Sequence, residues 1–195
     1  MDLISKAMHF AIDAHRGERR KGDGEPMAMH AMEAAAIVAR LTGDEEAIAA
    51  AALHDVVEDS GVLIEEIEAQ FGPRVARLVA SETEDKRRDM PPDQSWKLRK
   101  EEAVALLKST DDMAVKMVFL GDKLSNMRSF YSLKQRLGKA MWEQFNEKDP
   151  QAHHWYYRTI ADALTGLKDT LAWQEYDGLI AAVFDETKHT GGEAQ

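Results

Sequence analysis

The sequence contains no cysteine, which excludes disulfides, thiolate metal ligands and a cysteine nucleophile. No apolar run approaches the roughly 20 residues needed to cross a bilayer. Met1-Asp2-Leu3 does not open a secretory leader, so a cytoplasmic location is expected. Positive charge is scarce. There are 25 Lys+Arg against 35 Asp+Glu, a formal net charge of −10. A nucleic-acid-binding protein normally shows a basic face, so that class is set aside. An anionic small substrate is not excluded, because a metal and a few local cations can hold one. Strand-like alternation, internal repeats and low-complexity segments are also missing. What remains is 195 residues, 44% hydrophobic and 31% charged, with four tryptophans. That composition predicts a soluble globular chain with ample material for a core.

Apolar residues recur at helical spacing almost throughout, so the expected fold is all-α. A first helix is predicted over Asp2 to His15, ended by Gly17, and a second over Met27 to Leu41. Between them lies a polar loop, Arg16 to Pro26, with three glycines and a terminal proline. Thr42 to Glu45 has capping-box spacing. A third helix is expected from Glu45 to Asp59, with Gly61 as its stop. Short helices follow, one on Leu63, Ile64 and Ile67 and another opened by Gly72-Pro73. Ser81 to Ser95 reads as a charged surface loop with two prolines. Further helices are predicted from Trp96 to Lys108, Asp111 to Ser129, Tyr131 to Phe145, Asp149 to Trp173 and Tyr176 to Lys188. Asp149-Pro150 is a clear start, a capping Asp before Pro at the first helical position. Thr190 to Gln195 is expected to fray. The whole reads as one domain over 1–195, with a core at about 3–130, C-terminal helices at about 131–189 and a tail at 190–195.

Leu53-His54-Asp55-Val56-Val57-Glu58-Asp59 carries the chemistry. Read as helix, it sets His54 over Glu58 and Asp55 over Asp59. The preceding run, Ala47 to Leu53, is almost purely apolar. Three carboxylates crowded beside apolar packing repel one another unless a cation or protons neutralise them. A solvated acidic helix end is the alternative. His30 upstream and Asp122 downstream weigh against it. The order His30, His54-Asp55, Asp122 resembles the metal signature of the HD phosphohydrolase superfamily.

Finer motifs narrow the resemblance. Arg20-Lys21 before Glu25-Pro26-x-x-x-His30, then Leu53-His54-Asp55-Val56-Val57-Glu58-Asp59, then Asp122-Lys123-Leu124-Ser125-Asn126, are similar to the hydrolase domain of the RelA/SpoT alarmone enzymes, in particular its free-standing small alarmone hydrolase type. Trp96-x-x-Arg99-Lys100 adds a further match. The resemblance spans about Leu3 to Arg158. It implies an HD-domain bundle of about ten helices that uses Mn²⁺, one ion per chain, to remove pyrophosphate from the 3′ position of ppGpp or pppGpp. With no synthetase region in the sequence, the expectation is a hydrolase only. His30, His54, Asp55 and Asp122 are implied as metal ligands. Such a mixed N/O set also suits Zn²⁺ or Fe²⁺. Glu58 and Asp59 are implied as catalytic, one as general base and the other ordering water or protonating the leaving group. Arg20, Lys21, Lys86, Lys123 and Asn126 are implied as substrate contacts, Lys86 from a flap formed by the 81–95 loop.

Met27, Glu18 and Gly121 depart from the family's usual Tyr, Gln and Ala. By spacing, Trp142, Phe145, Tyr156 and Ile160 are expected in the core, Trp96 is expected to be structural, and His153-His154 to pack or face solvent. His9, His15 and His189 are given no chemical role. Two other functions compete. One is a related phosphohydrolase acting on NADPH or another nucleotide. The other is a catalytically silent nucleotide sensor or antitoxin-like partner. Intact Glu58, Asp59 and metal ligands argue against the silent reading. The oligomeric state is left open.

Overall fold

Residues 1–87 and 89–184 are described by a computed structural model. They form ten α-helices, α1 (Leu3–Ala14), α2 (Met27–Leu41), α3 (Glu45–Leu53), α4 (Val56–Ser60), α5 (Ile64–Phe71), α6 (Pro73–Glu82), α7 (Pro92–Ser109), α8 (Met113–Leu137), α9 (Pro150–Ala163) and α10 (Leu171–Phe184). Two 3₁₀ segments cover Gly138–Gln144 and Thr165–Leu167. No strand occurs among the described residues, although Arg19 and Pro26 form one isolated bridge. The all-α expectation is met. The expected end of the last helix at Lys188, His189, Arg88 and the tail at 190–195 lie outside the described residues.

α3 is the centre of the bundle. Every residue from Ala47 to Leu53 is buried, and the helix touches α1, α2, α6 and α8. A helix that is apolar all round has no solvent face to offer, so it goes to the middle. Its alanines let four neighbours approach closely. α2 and α8 pack against each other beside it, and their contact depends on Gly121. A Cβ there would lie 2.9 Å from the Ala34 carbonyl oxygen and 2.8 Å from Val38 Cγ2. The departure from Ala at this position therefore corresponds to a close α2–α8 approach, one residue from Asp122.

Helix starts follow the aspartates. Asp44 accepts from the Glu46 and Ala47 amides at 3.1 and 3.4 Å; Asp112 and Asp149 cap α8 and α9 in the same way. The capping box expected from Thr42 does not form, because Thr42 Oγ1 accepts from the Asp44 amide at 3.1 Å instead. Several predicted boundaries move: the expected 81–95 loop is shorter, since α6 runs to Glu82 and α7 starts at Pro92, a proline at the first helical position, rather than at Trp96. α8 runs unbroken through Ser129 and Tyr131 to Leu137, since Met127, Phe130 and Leu133 continue one buried stripe and no stop residue precedes Gly138. α9 stops at Ala163 rather than Trp173. Thr170 then accepts from the Trp173 amide at 3.2 Å and opens α10.

The C-terminal helices close over an aromatic cluster. Phe130 lies 4.8 Å from Phe145 and 5.6 Å from Trp142 by ring centroid. His153 stacks on Trp142 at 5.1 Å, and His154 stacks on Phe184 at 5.0 Å. Both histidines are thus packing residues. Trp142 and Ile160 are buried as expected.

Candidate metal centre and the adjoining cavities

The helix expected from Glu45 to Asp59 is two helices with a turn at His54-Asp55. Asp55 sits at φ −92°, ψ −8°, in the bridge region, and α4 begins after it. The His54 ring folds back along α3, its Nδ1 donating to the Ala51 carbonyl at 2.8 Å. His54 Nε2 is thereby left as an acceptor pointing off the end of a buried helix.

His30 from α2 meets it there. The two Nε2 atoms are 3.1 Å apart. Asp122 Oδ1, from α8, lies 3.1 Å from His30 Nε2 and 3.6 Å from His54 Nε2. Asp55 Oδ2 lies 3.5 and 3.2 Å from the same two nitrogens. Two atoms that both ligate one ion at about 2.1 Å stand about 3.0–3.4 Å apart at octahedral or tetrahedral angles. The donor atoms of His30, His54 and Asp122 all lie within 4.8 Å of one another, Asp55 Oδ2 adds a fourth oxygen beside both histidines, and this N/O chemistry suits a borderline first-row ion. Electrostatics agree. Without a metal, burial opposes charge on His54, yet Asp55 and Asp122 outweigh it and hold its pKa well above the usual value, so a cation, whether proton or metal ion, is favoured at Nε2. Burial likewise works against the ionised carboxyls, but His54 and His30 hold Asp55 well below the usual range, and Lys123 with the two histidines does so for Asp122. The site is built to concentrate negative charge on one point.

A cavity of about 140 Å³ opens on this centre, lined by His30, Asp55, Glu58, Asp122, Lys123 and Asn126 among others. Glu58 is largely buried, and burial, Asp55 and Glu84 push its pKa up to about 7. Its Oε2 accepts from the Glu84 amide at 3.2 Å. Asp59 faces elsewhere. It receives a hydrogen bond from Lys86 and lines a neighbouring cavity of about 530 Å³. The two acidic residues, interchangeable by sequence, therefore occupy different surroundings.

The larger cavity has Arg19, Arg20, Lys21, Lys86 and Lys100 as its cations and Trp96, Phe130, Phe145, Tyr156 and Tyr157 as its aromatic wall. Phe145 and Tyr156 were expected in the core; Tyr156 is buried, but both also reach the cavity. Trp96 supports its neighbours, 5.0 Å from His153 and 6.2 Å from Tyr156, and lines the cavity as well. Arg20 is carried in by the 16–26 loop, pinned by Arg20 N to Glu25 O at 2.9 Å and Met27 N to Glu18 O at 3.0 Å. Gly22, at φ +91°, passes so close to Leu133 that a Cβ would lie 2.8 Å from its Cδ1. Arg20 donates to Asn126 Oδ1 at 2.5 Å, and Asn126 Nδ2 donates to Asp122 Oδ1 at 2.5 Å. Lys21 reaches Asn146 at 3.4 Å.

Lys86 lies between the two acids, bonded to Asp59 and 3.8 Å from Glu58. Lys123 is buried, paired with Asp122 and with Glu82 at 3.2 Å. Sequence reasoning missed Glu82, Glu84 and Lys100. Glu82 and Glu84 read as part of a solvated loop, yet both line the metal-side cavity. Arg99 and Lys100 both pair with Glu84, at 2.8 and 2.7 Å. The Trp96-x-x-Arg99-Lys100 pattern was the available signal for them. His15, given no role, is buried with Nδ1 2.8 Å from Glu18.

Fold and site together define an all-α protein in which His30, His54 and Asp122 form a group able to hold a metal ion, with Asp55 beside them. The chain belongs to the HD domain family, whose profile matches residues 7–146. A guanosine-3′,5′-bis(diphosphate) 3′-pyrophosphohydrolase of Aquifex aeolicus is 33% identical over 151 residues, covering 77% of this chain and 21% of that protein. A GTP pyrophosphokinase of Brucella melitensis biotype 1 is 38% identical over 130 residues, 65% of this chain and 17% of that protein. The chain thus spans about a fifth of the length of these curated relatives. Among solved structures, a metazoan ortholog of SpoT described as hydrolysing ppGpp shares the fold, with TM-score 0.73 over 92% of this chain and 94% of that one, at 24% identity. A Listeria monocytogenes EGD-e protein is 30% identical, with TM-score 0.69 over 80% of this chain and 98% of that one. No described helix is long and apolar enough to cross a membrane.

Proposed function

We propose that this chain is a Mn²⁺-dependent phosphohydrolase that removes pyrophosphate from the 3′ position of ppGpp or pppGpp, giving GDP or GTP. The observation that carries this reading is the junction of two spaces. A four-donor metal centre holding Glu58 opens beside a cavity with aromatic walls and a cationic rim. The names of several relatives support the substrate.

His30, His54, Asp55 and Asp122 hold the ion, which when bound supplies Lewis-acid activation of a phosphoryl group and of water. Glu58 is the general base. Its raised pKa lets it accept a proton from the attacking water at neutral pH, and the Glu84 amide fixes its orientation. Asp59 holds Lys86 at the rim, where its ammonium faces incoming phosphate. The aromatic wall stacks a purine base. Arg20 and Lys21 meet phosphate or base, and Asn126 ties Arg20 to the ligand Asp122. Lys123, paired with Asp122 and Glu82, offsets charge as phosphate enters.

Metal-stripped protein incubated with ppGpp, with and without Mn²⁺, tests the reading. GDP plus pyrophosphate formed only with Mn²⁺ is expected. Phosphate released from NADPH, with ppGpp left intact, would overturn the substrate assignment.

A further inference from the structure

His30 is held from behind by a chain of side chains unrelated to substrate. Its Nδ1 lies 2.8 Å from Ser125 Oγ. Ser125 has one hydroxyl proton, and Oγ lies 2.5 Å from Glu33 Oε2, a carboxylate oxygen that accepts. The hydroxyl proton therefore goes to Glu33. What Ser125 offers His30 is a lone pair, so Nδ1 carries the hydrogen and Nε2 faces the metal centre. The other Glu33 oxygen is also occupied, by Arg128 NH1 at 2.8 Å. Arg128 in turn grips Glu175 of α10 through Nε and NH2 at 2.6 and 2.7 Å. Ser125 and His30 are both buried. The chain thus runs from the metal centre through α8 and α2 to the surface of α10.

We propose that Ser125 and Glu33 are positioning residues for the metal centre: a His30–Ser125–Glu33 relay that fixes the ligand's tautomer and ring orientation and raises its basicity towards a divalent cation, with Arg128 and Glu175 anchoring the relay to α10. A carboxylate bonded directly to a ligating histidine has this effect in many metal sites; here a hydroxyl is interposed. The inference rests on the metal reading of the site and is independent of the substrate.

The test is Mn²⁺ binding to metal-stripped protein by calorimetry, with thermal melting as a check on folding. Ser125→Ala and Glu33→Gln are expected to weaken Mn²⁺ binding by about 10–100-fold. Ser125→Thr keeps the hydroxyl and is expected to bind within a few-fold of the parent. Glu175→Gln is expected to show a smaller loss. Turnover at saturating Mn²⁺ should recover in each variant, because the missing effect is on affinity. Unchanged Mn²⁺ affinity in folded Ser125→Ala or Glu33→Gln would overturn the proposal. So would equal weakening in Ser125→Thr, which would mean that packing and not the hydroxyl matters. If Ser125→Ala does not fold, the Glu33→Gln and Ser125→Thr pair decides. A parent protein that binds no Mn²⁺ would instead overturn the metal reading itself.

Discussion

His30 Nε2 and His54 Nε2 face each other across 3.1 Å, each with its Nδ1 already bonded to Ser125 or to the Ala51 carbonyl. Two imidazole lone pairs at that distance repel unless a positive charge lies between them. Asp55 and Asp122 close in on the same point. The proposed metal centre rests on that arrangement.

Glu58 sets the pH dependence. Its pKa is pushed from 4.5 up to about 7 by burial and by the Asp55 and Glu84 carboxylates. A general base must be ionised, so kcat/KM should rise with pH to a plateau, with a midpoint below the metal-free value because bound Mn²⁺ offsets the Asp55 charge. Stability moves the other way. Between pH 4.5 and about 7 the folded state keeps the proton that the unfolded state has lost. Folding stability contributed by this group is therefore greatest at low pH and falls as pH rises through that window. Chemical denaturation of the parent and Glu58→Gln across pH 4.5–8 would show this slope in the parent and a reduced one in the variant.

Asn126 joins two functions that Arg20 does not. It accepts from Arg20 and donates to Asp122. Arg20→Ala should raise KM with Mn²⁺ affinity unchanged, whereas Asn126→Ala should raise KM and weaken Mn²⁺ binding together. Steady-state kinetics beside calorimetry separates the two.

Gly121→Ala should destabilise by about 1–3 kcal/mol, because the added methyl meets the Ala34 carbonyl and Val38 with little room to relax. At this chain length each kcal/mol lowers Tm by about 2–4 °C. Scanning calorimetry gives the value. Since Asp122 is the next residue, Mn²⁺ affinity should fall with it.

Residue type and order made the centre legible in the sequence. His30, His54-Asp55 and Asp122 come from three helices, and all-round hydrophobicity placed α3 among them. Three things were hidden. The turn at His54-Asp55 has no sequence punctuation, since neither Gly nor Pro marks it. The continuity of α8 past Ser129 depends on packing of Phe130 and Leu133 against later helices, a long-range effect. The roles of Glu82, Glu84, Ser125 and Glu33 come from partners such as Lys123, Lys100 and His30 that lie far along the chain. Aromatic periodicity likewise cannot separate a core ring from one that lines a cavity, as Phe145 and Tyr156 illustrate.

The most direct measurement compares Asp55→Ala with Glu58→Gln in metal-stripped protein, recording Mn²⁺ bound per chain and turnover of ppGpp. Asp55→Ala should lose both. Glu58→Gln should keep the ion and lose turnover by about 10²–10⁴-fold. Full turnover in metal-free Asp55→Ala, or undiminished turnover in Glu58→Gln, would contradict the account of this site.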